Sequence, residues 1–104
     1  MKTDTNILSQ IKQFVKEIEP QSEVILYGSR ARGDEGKDSD WDILILVPYS
    51  AGLKKEQEFR YRLFDIELQY GQAISTLVKS KEEWENRFKI TPLYQNILQE
   101  GISL

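Results

Sequence analysis

Apolar residues in the first fifth of the chain recur at helical spacing. Ile7, Leu8, Ile11, Phe14, Val15 and Ile18 share one stripe of the 3.6-residue period, which predicts an amphipathic helix ended by Pro20. Thr3, Asp4 and Thr5 stand ahead of the stripe as N-cap candidates. The pattern then changes. Val24-Ile25-Leu26-Tyr27 is an apolar run too short for a helix and reads as a buried strand ending at Gly28. Trp41 to Val47 is apolar at all but Asp42, as expected of a strand covered on both faces, and Pro48 stops it. Between them, residues 28–40 are polar and glycine-rich, which predicts a loop with one helical turn.

After Gly52 the helical period returns in Phe59, Leu63, Ile66 and Tyr70, with Gly71 placed to close the helix. Ala73 to Val78 reads as a third strand. Ser80-Lys81-Glu82-Glu83 has the spacing of a capping box, and Thr91-Pro92 supplies an N-cap and an N1 proline for a last helix ending near Gly101. The order predicts an α/β (α+β) fold over residues 1–104 as a single domain, a small mixed sheet of about three strands packed with helices. The helical crossover between the second and third strands predicts that these two run parallel.

Composition narrows the chemistry. The 104 residues include no Cys and no His, so thiol nucleophiles, His-based triads, disulfides and Cys/His zinc sites are excluded. What remains is carboxylates, Arg and Lys, hydroxyls, backbone amides and oxygen-ligated metals. The net charge of −3 argues against extensive contact with a nucleic-acid duplex. Residues 28–49 hold Arg30, Arg32 and Lys37 against Asp34, Glu35, Asp38, Asp40 and Asp42, so much of the acid excess lies in one loop region. No run approaches the roughly 18 apolar residues of a membrane span, and the N-terminus has no apolar signal core; a cytoplasmic location is the expectation.

Two stretches carry candidate chemistry. Gly28-Ser29-Arg30-Ala31-Arg32-Gly33 has the glycine spacing of a phosphate-binding P-loop, but Asp34-Glu35 stands where that loop needs Lys and a hydroxyl residue. A glycine after a strand still lets the backbone approach a phosphate, with the Ser29 hydroxyl, Arg30 and Arg32 as further ligands. Asp38-Ser39-Asp40-Trp41-Asp42 is not a calcium loop, because Ile43 and Tyr49 occupy the positions of its glycine and bidentate glutamate. Asp40 and Asp42 are two apart at the start of a strand, so both project to one face while Trp41 points to the other. Such a pair repels itself unless a divalent cation lies between, and an all-oxygen donor set favours Mg²⁺ or Mn²⁺. If the strands flanking the loop pair antiparallel, turn and carboxylates meet at one sheet edge, the arrangement phosphoryl transfer from a metal–nucleotide requires.

Together these residues resemble the G-S-x-A-R-G…S-D-x-D signature of minimal nucleotidyltransferase domains, in the DNA polymerase beta-like superfamily. The resemblance implies that Gly28 and Ser29 hold the triphosphate, with Arg30 and Arg32 in support, and that Asp40 and Asp42 are catalytic metal ligands for Mg²⁺ or Mn²⁺. It implies an NTP substrate, with ATP expected, and transfer of the nucleoside monophosphate to a hydroxyl on a protein or small molecule. Small domains of this kind also resemble the antitoxins of toxin–antitoxin pairs, which implies a helical HEPN-type protein partner, or else a homo-oligomer. One departure stands out. Active members carry a third carboxylate on the next strand, where this chain has Ser75 and Thr76; Asp65 and Glu67 are the nearest acids in sequence. The alternative is therefore a catalytically weak or inactive antitoxin that acts by association. Trp84, Phe88, Tyr94 and Ile97 are expected to pack on the sheet or to furnish a docking surface.

Overall fold

The computed structural model describes the backbone of residues 2–104 and the side chains of residues 5–104. The elements run α1 (Lys2–Ile18), β1 (Glu23–Tyr27), α2 (Ser29–Arg32), β2 (Trp41–Val47), α3 (Leu53–Tyr70), β3 (Ile74–Ser80), α4 (Lys81–Asn86), α5 (Pro92–Glu100) and β4 (Ile102–Ser103). The sheet has the order β3-β2-β1-β4. β1 is antiparallel to both β2 and β4, and β2 is parallel to β3, as the α3 crossover requires. The fold is thus mixed α/β, with a sheet of four strands where the sequence pattern predicts about three. The added strand, two residues long, is too short to leave a periodic signal.

Alternation along β2 divides the core. Trp41, Ile43, Ile45 and Val47 face one side, where they pack with Ile7, Ile11 and Val15 of α1 and Phe59, Leu63 and Ile66 of α3. Leu44 and Leu46 face the other side and pack with Trp84 of α4 and Tyr94 and Ile97 of α5. Helices therefore cover both faces, the reason β2 reads as a near-continuous apolar run. The C-terminal aromatics belong to this second core: Trp84 is 4% and Tyr94 7% exposed, so they are packing residues and no docking surface. Exposed apolar side chains instead include Tyr61, Phe64 and Leu68 on the outer side of α3.

The local signals act mostly as expected. The Ser80 hydroxyl accepts from Glu83 N–H at 2.9 Å and the Thr91 hydroxyl from Tyr94 N–H at 3.2 Å, capping α4 and α5. Gly71 closes α3 in the left-handed region at φ 64°, its N–H donating to Glu67 O at 2.8 Å. At the N-terminus the expectation fails: α1 already begins at Lys2, so Thr3, Asp4 and Thr5 lie within its first turns rather than before it. The side chains of Thr3 and Asp4 are outside the described residues. Among the described residues, no helix is long and apolar enough to cross a membrane.

Candidate functional site

The β1–β2 ladder builds the site. Its register sets Tyr27 opposite Asp42, so the residue that follows β1 and the residues that open β2 lie at the same end of the sheet. The chain leaves β1 at Gly28 with φ 76°, a left-handed conformation that favours glycine. Gly28 then starts the single turn α2, its carbonyl accepting from the N–H groups of Ala31 and Arg32, both at 3.1 Å. Gly33, also at positive φ, ends the turn, with its N–H on Ser29 O at 2.9 Å.

A second demand falls on Gly28. A Cβ added there would lie 2.1 Å from Asp42 Oδ2 and 3.0 Å from its Cγ. The carboxylate therefore occupies the space that any side chain at 28 would need. Turn and carboxylate are in direct van der Waals contact, as the antiparallel pairing predicts.

Asp42 is half-buried on the α4/α5 side of the sheet, and Asp40 is exposed just ahead of the strand. Burial pushes the Asp42 carboxyl above its ordinary range. Asp40 adds to this, Arg32 opposes it, and Glu100 adds again. Burial likewise raises the Tyr27 hydroxyl, with the charge of Asp42 in the same direction. Among the described residues, the carboxylate of neither Asp40 nor Asp42 has a hydrogen-bond or salt-bridge partner. A part-buried carboxylate destabilised by a like charge, and lacking a protein cation on it, fits a divalent ion coordinated by oxygen. No convergent group of three or more acidic, His or Cys side chains is found among the described residues. Among the described residues the site thus offers two carboxylates, Asp40 and Asp42.

The two arginines diverge. Arg32 remains at the turn, its Nε 3.1 Å from Asp34 Oδ2 and its Nη1 3.1 Å from Glu100 Oε2. Arg30 turns away: its Nε and Nη2 both donate to Ser39 O, at 3.0 and 2.9 Å, and its guanidinium lies 4.2 Å from the Trp41 ring centroid. Trp41 faces the α1/α3 core, opposite to Asp42, and its indole N–H donates to Gln72 Oε1 at 2.6 Å. Arg30 thereby clasps the loop that delivers Asp40 and Asp42. The Ser29 side chain is half-buried, and its hydroxyl has no partner among the described residues.

The third-carboxylate candidates from the sequence do not converge here. Ser75 is the register partner of Asp42 across the parallel pair, so a hydroxyl stands beside it; Thr76, paired with Ile43, faces the other side. Glu67 Oε2 accepts from Ile74 N–H at 2.9 Å, and Asp65 pairs with Arg62 at 3.3 Å. Both sit on α3, which packs on the opposite face of the sheet. The acid that does reach the turn is Glu100, from the far end of the chain, whose Oε2 accepts from Gly28 N–H at 2.6 Å. Sequence reasoning missed it, and a single Glu at a helix end carries no signal that could have found it.

Known proteins share this arrangement of elements. The family model described as "Nucleotidyltransferase domain" matches residues 8–103. A relative in Methanocaldococcus jannaschii named "Putative protein adenylyltransferase MJ0141" is 38% identical over 80 residues, covering 72% of this chain and 81% of its own length. A second from the same organism, "Putative protein adenylyltransferase MJ0604", is 31% identical over 99 residues, covering 88% of this chain and 90% of its own. Among solved structures, a toxin–antitoxin crystallised with AMP-PNP superposes with a TM-score of 0.67 at 17% identity, over 91% of this chain and 69% of that one. A mutant of the toxin–antitoxin MntA-HpeT gives 0.66 at 16% identity, with the same coverage. These two likenesses concern the fold alone. With the family model spanning nearly the whole chain, and a glycine turn set against paired aspartates as the signature requires, the chain belongs to the nucleotidyltransferase domain family.

Proposed function

We propose that this protein transfers a nucleoside monophosphate, with AMP expected, from a nucleoside triphosphate to a hydroxyl group on a protein or small molecule. The observation that carries this reading is the contact between Gly28 and Asp42: an anion-binding turn and an acidic pair adjoin within one van der Waals diameter. The two archaeal relatives named as protein adenylyltransferases support AMP as the group and protein as an acceptor. Gly28 N–H, the Ser29 hydroxyl and Arg32 would bind the β- and γ-phosphates. Asp40 and Asp42 would hold Mg²⁺ or Mn²⁺, which when bound neutralises phosphate charge and acidifies the acceptor hydroxyl. Arg30 holds the 33–40 loop so that these carboxylates keep their place at the turn. Incubation with labelled ATP, Mg²⁺ and candidate acceptors tests this. Transfer by the wild type that vanishes in Asp40→Asn supports the reading, and equal transfer by both would overturn it.

A second reading, an antitoxin that acts by association with a helical HEPN-type partner, draws on Ser75. A hydroxyl beside Asp42 leaves that side of the site without a strong base. The toxin–antitoxin neighbours make a protein partner the natural complement of such a site. Capture of a purified HEPN-type helical protein by both wild type and Asp40→Asn, without nucleotide transfer by the wild type, would favour this reading.

A further inference from the structure

Glu100 reaches the turn from the far end of the chain. Its Oε2 accepts from Gly28 N–H at 2.6 Å and from Arg32 Nη1 at 3.1 Å, and its Oε1 lies 3.3 Å from the same guanidinium nitrogen. The side chain is 16% exposed. Its backbone is fixed from both directions. Gly101 N–H donates to Ile97 O at 2.7 Å, keeping the last turn of α5 wound, and beyond it Ile102 and Ser103 pair with Leu26 and Ile25 of β1. Leu104 N–H then donates to Val24 O at 2.9 Å. The corner between α5 and β4 thus delivers a carboxylate to the mouth of the turn, from which rotation about the Glu100 side-chain bonds can withdraw it.

A carboxylate on a backbone N–H and a guanidinium makes the hydrogen bonds a phosphate oxygen would make, with the same charge sign and nearly the same geometry. The position is not electrostatically free for it, because the charge of Glu100 acts on Asp42 in the same direction as that of Asp40. Among the described residues the donors that hold Glu100 there are Gly28 N–H and Arg32, and both belong to the turn.

Resting on the reading of this turn as a nucleotide-phosphate site, we propose that Glu100 is its built-in occupant, an internal competitor that a triphosphate must displace. Affinity for nucleotide is then reduced by the fraction of molecules in which Glu100 fills the turn. Displacement requires an anion that outcompetes a tethered carboxylate at both donors and also engages the neighbouring acidic pair through a metal. A metal-bound polyphosphate meets that demand, and a simple monoanion does not.

Calorimetric titration of the full chain with AMP-PNP and Mg²⁺, and separately with inorganic tripolyphosphate and Mg²⁺, tests this in wild type, Glu100→Gln and Glu100→Ala. Both variants should bind both ligands more tightly, Glu100→Ala by about tenfold. The gain should be equal for the two ligands, because it arises at the phosphates. Glu100→Gln keeps the side-chain volume, and unfolding midpoints without ligand establish that each variant is folded. If Glu100 is only a clasp between α5 and the turn, the folded variants bind as the wild type does or more weakly, and the inference is overturned. If none of the three chains binds either ligand, the phosphate reading of the turn falls, and this inference with it.

Discussion

A methyl group on Gly28 would stand 2.1 Å from Oδ2 of Asp42, so the Asp42 carboxylate keeps its position only because residue 28 has no side chain. Two separate costs converge on Gly28→Ala: a left-handed backbone at φ 76° and the eviction of Asp42. Together they should lower stability by about 1–3 kcal/mol, read as a drop in thermal midpoint, and abolish nucleotide transfer. In an Asp42→Ala background the clash with Oδ2 and Cγ is gone, and the backbone cost remains with a tight 3.2 Å approach to the Cβ of residue 42. The same Gly28→Ala change should then be less destabilising, a non-additivity that a double-mutant cycle measures directly.

Removing the charge of Asp42 should have opposite effects on folding and on activity. Its part-buried carboxylate is destabilised by burial and by Asp40, and Arg32 opposes this without forming a salt bridge to it. With metal chelated at neutral pH, Asp42→Asn should be as stable as the wild type or more so, by less than about 1 kcal/mol once solvent screening is allowed for. Transfer should be lost. A marked fall in the unfolding midpoint would show that the charge is satisfied in the apo protein.

Divalent cations should reverse that order of stability. Mg²⁺ or Mn²⁺ at a hundred times its dissociation constant stabilises a folded chain by about 2.7 kcal/mol, visible in a thermal melt and undone by chelation. Asp40→Asn and Asp42→Asn should lose most of this response. A response of wild-type size in both variants would place the cation elsewhere.

Arg30 offers a test of positioning without substrate contact. Its forked grip on Ser39 O and its stacking on Trp41 depend on a planar guanidinium. Lysine keeps the charge and loses the fork. Arg30→Lys should loosen the 33–40 loop, detected as faster amide exchange at residues 36–40, and lower kcat with little change in KM for nucleotide. If Arg30 binds phosphate instead, KM should rise while amide exchange stays as in the wild type.

Elements with local causes were legible from the sequence. The capping hydroxyls of Ser80 and Thr91 act within three residues, Gly71 acts on the helix it ends, and the two-faced burial of β2 follows from its unbroken apolar run. The Gly28–Asp42 contact was legible as well, because an antiparallel return through a short loop brings both strand ends together. Glu100 was not: 72 residues separate it from Gly28, and its place depends on the packing of α5 against Leu44 and Leu46. Arg30 and Arg32 look equivalent in sequence. A separation of two residues on a single helical turn sends one to Trp41 and the other to Glu100, and only the fold says which charge acts on Asp42. The start of α1 at Lys2 was missed because the hydrophobic stripe begins later than the helix that carries it.

The edges of the sheet bear on how this chain behaves in concentrated solution. At one edge β4 is only two residues long. At the other, α3 leans over β3: the Glu67 carboxylate takes the Ile74 N–H at 2.9 Å, and Arg60 Nη2 donates to Thr76 O at 3.1 Å. Two backbone groups of β3 that could pair with a foreign strand are thus engaged by charged side chains. At β3 the guard is charge as well as occupancy, since a strand added there would have to displace a carboxylate and a guanidinium from the backbone they hold.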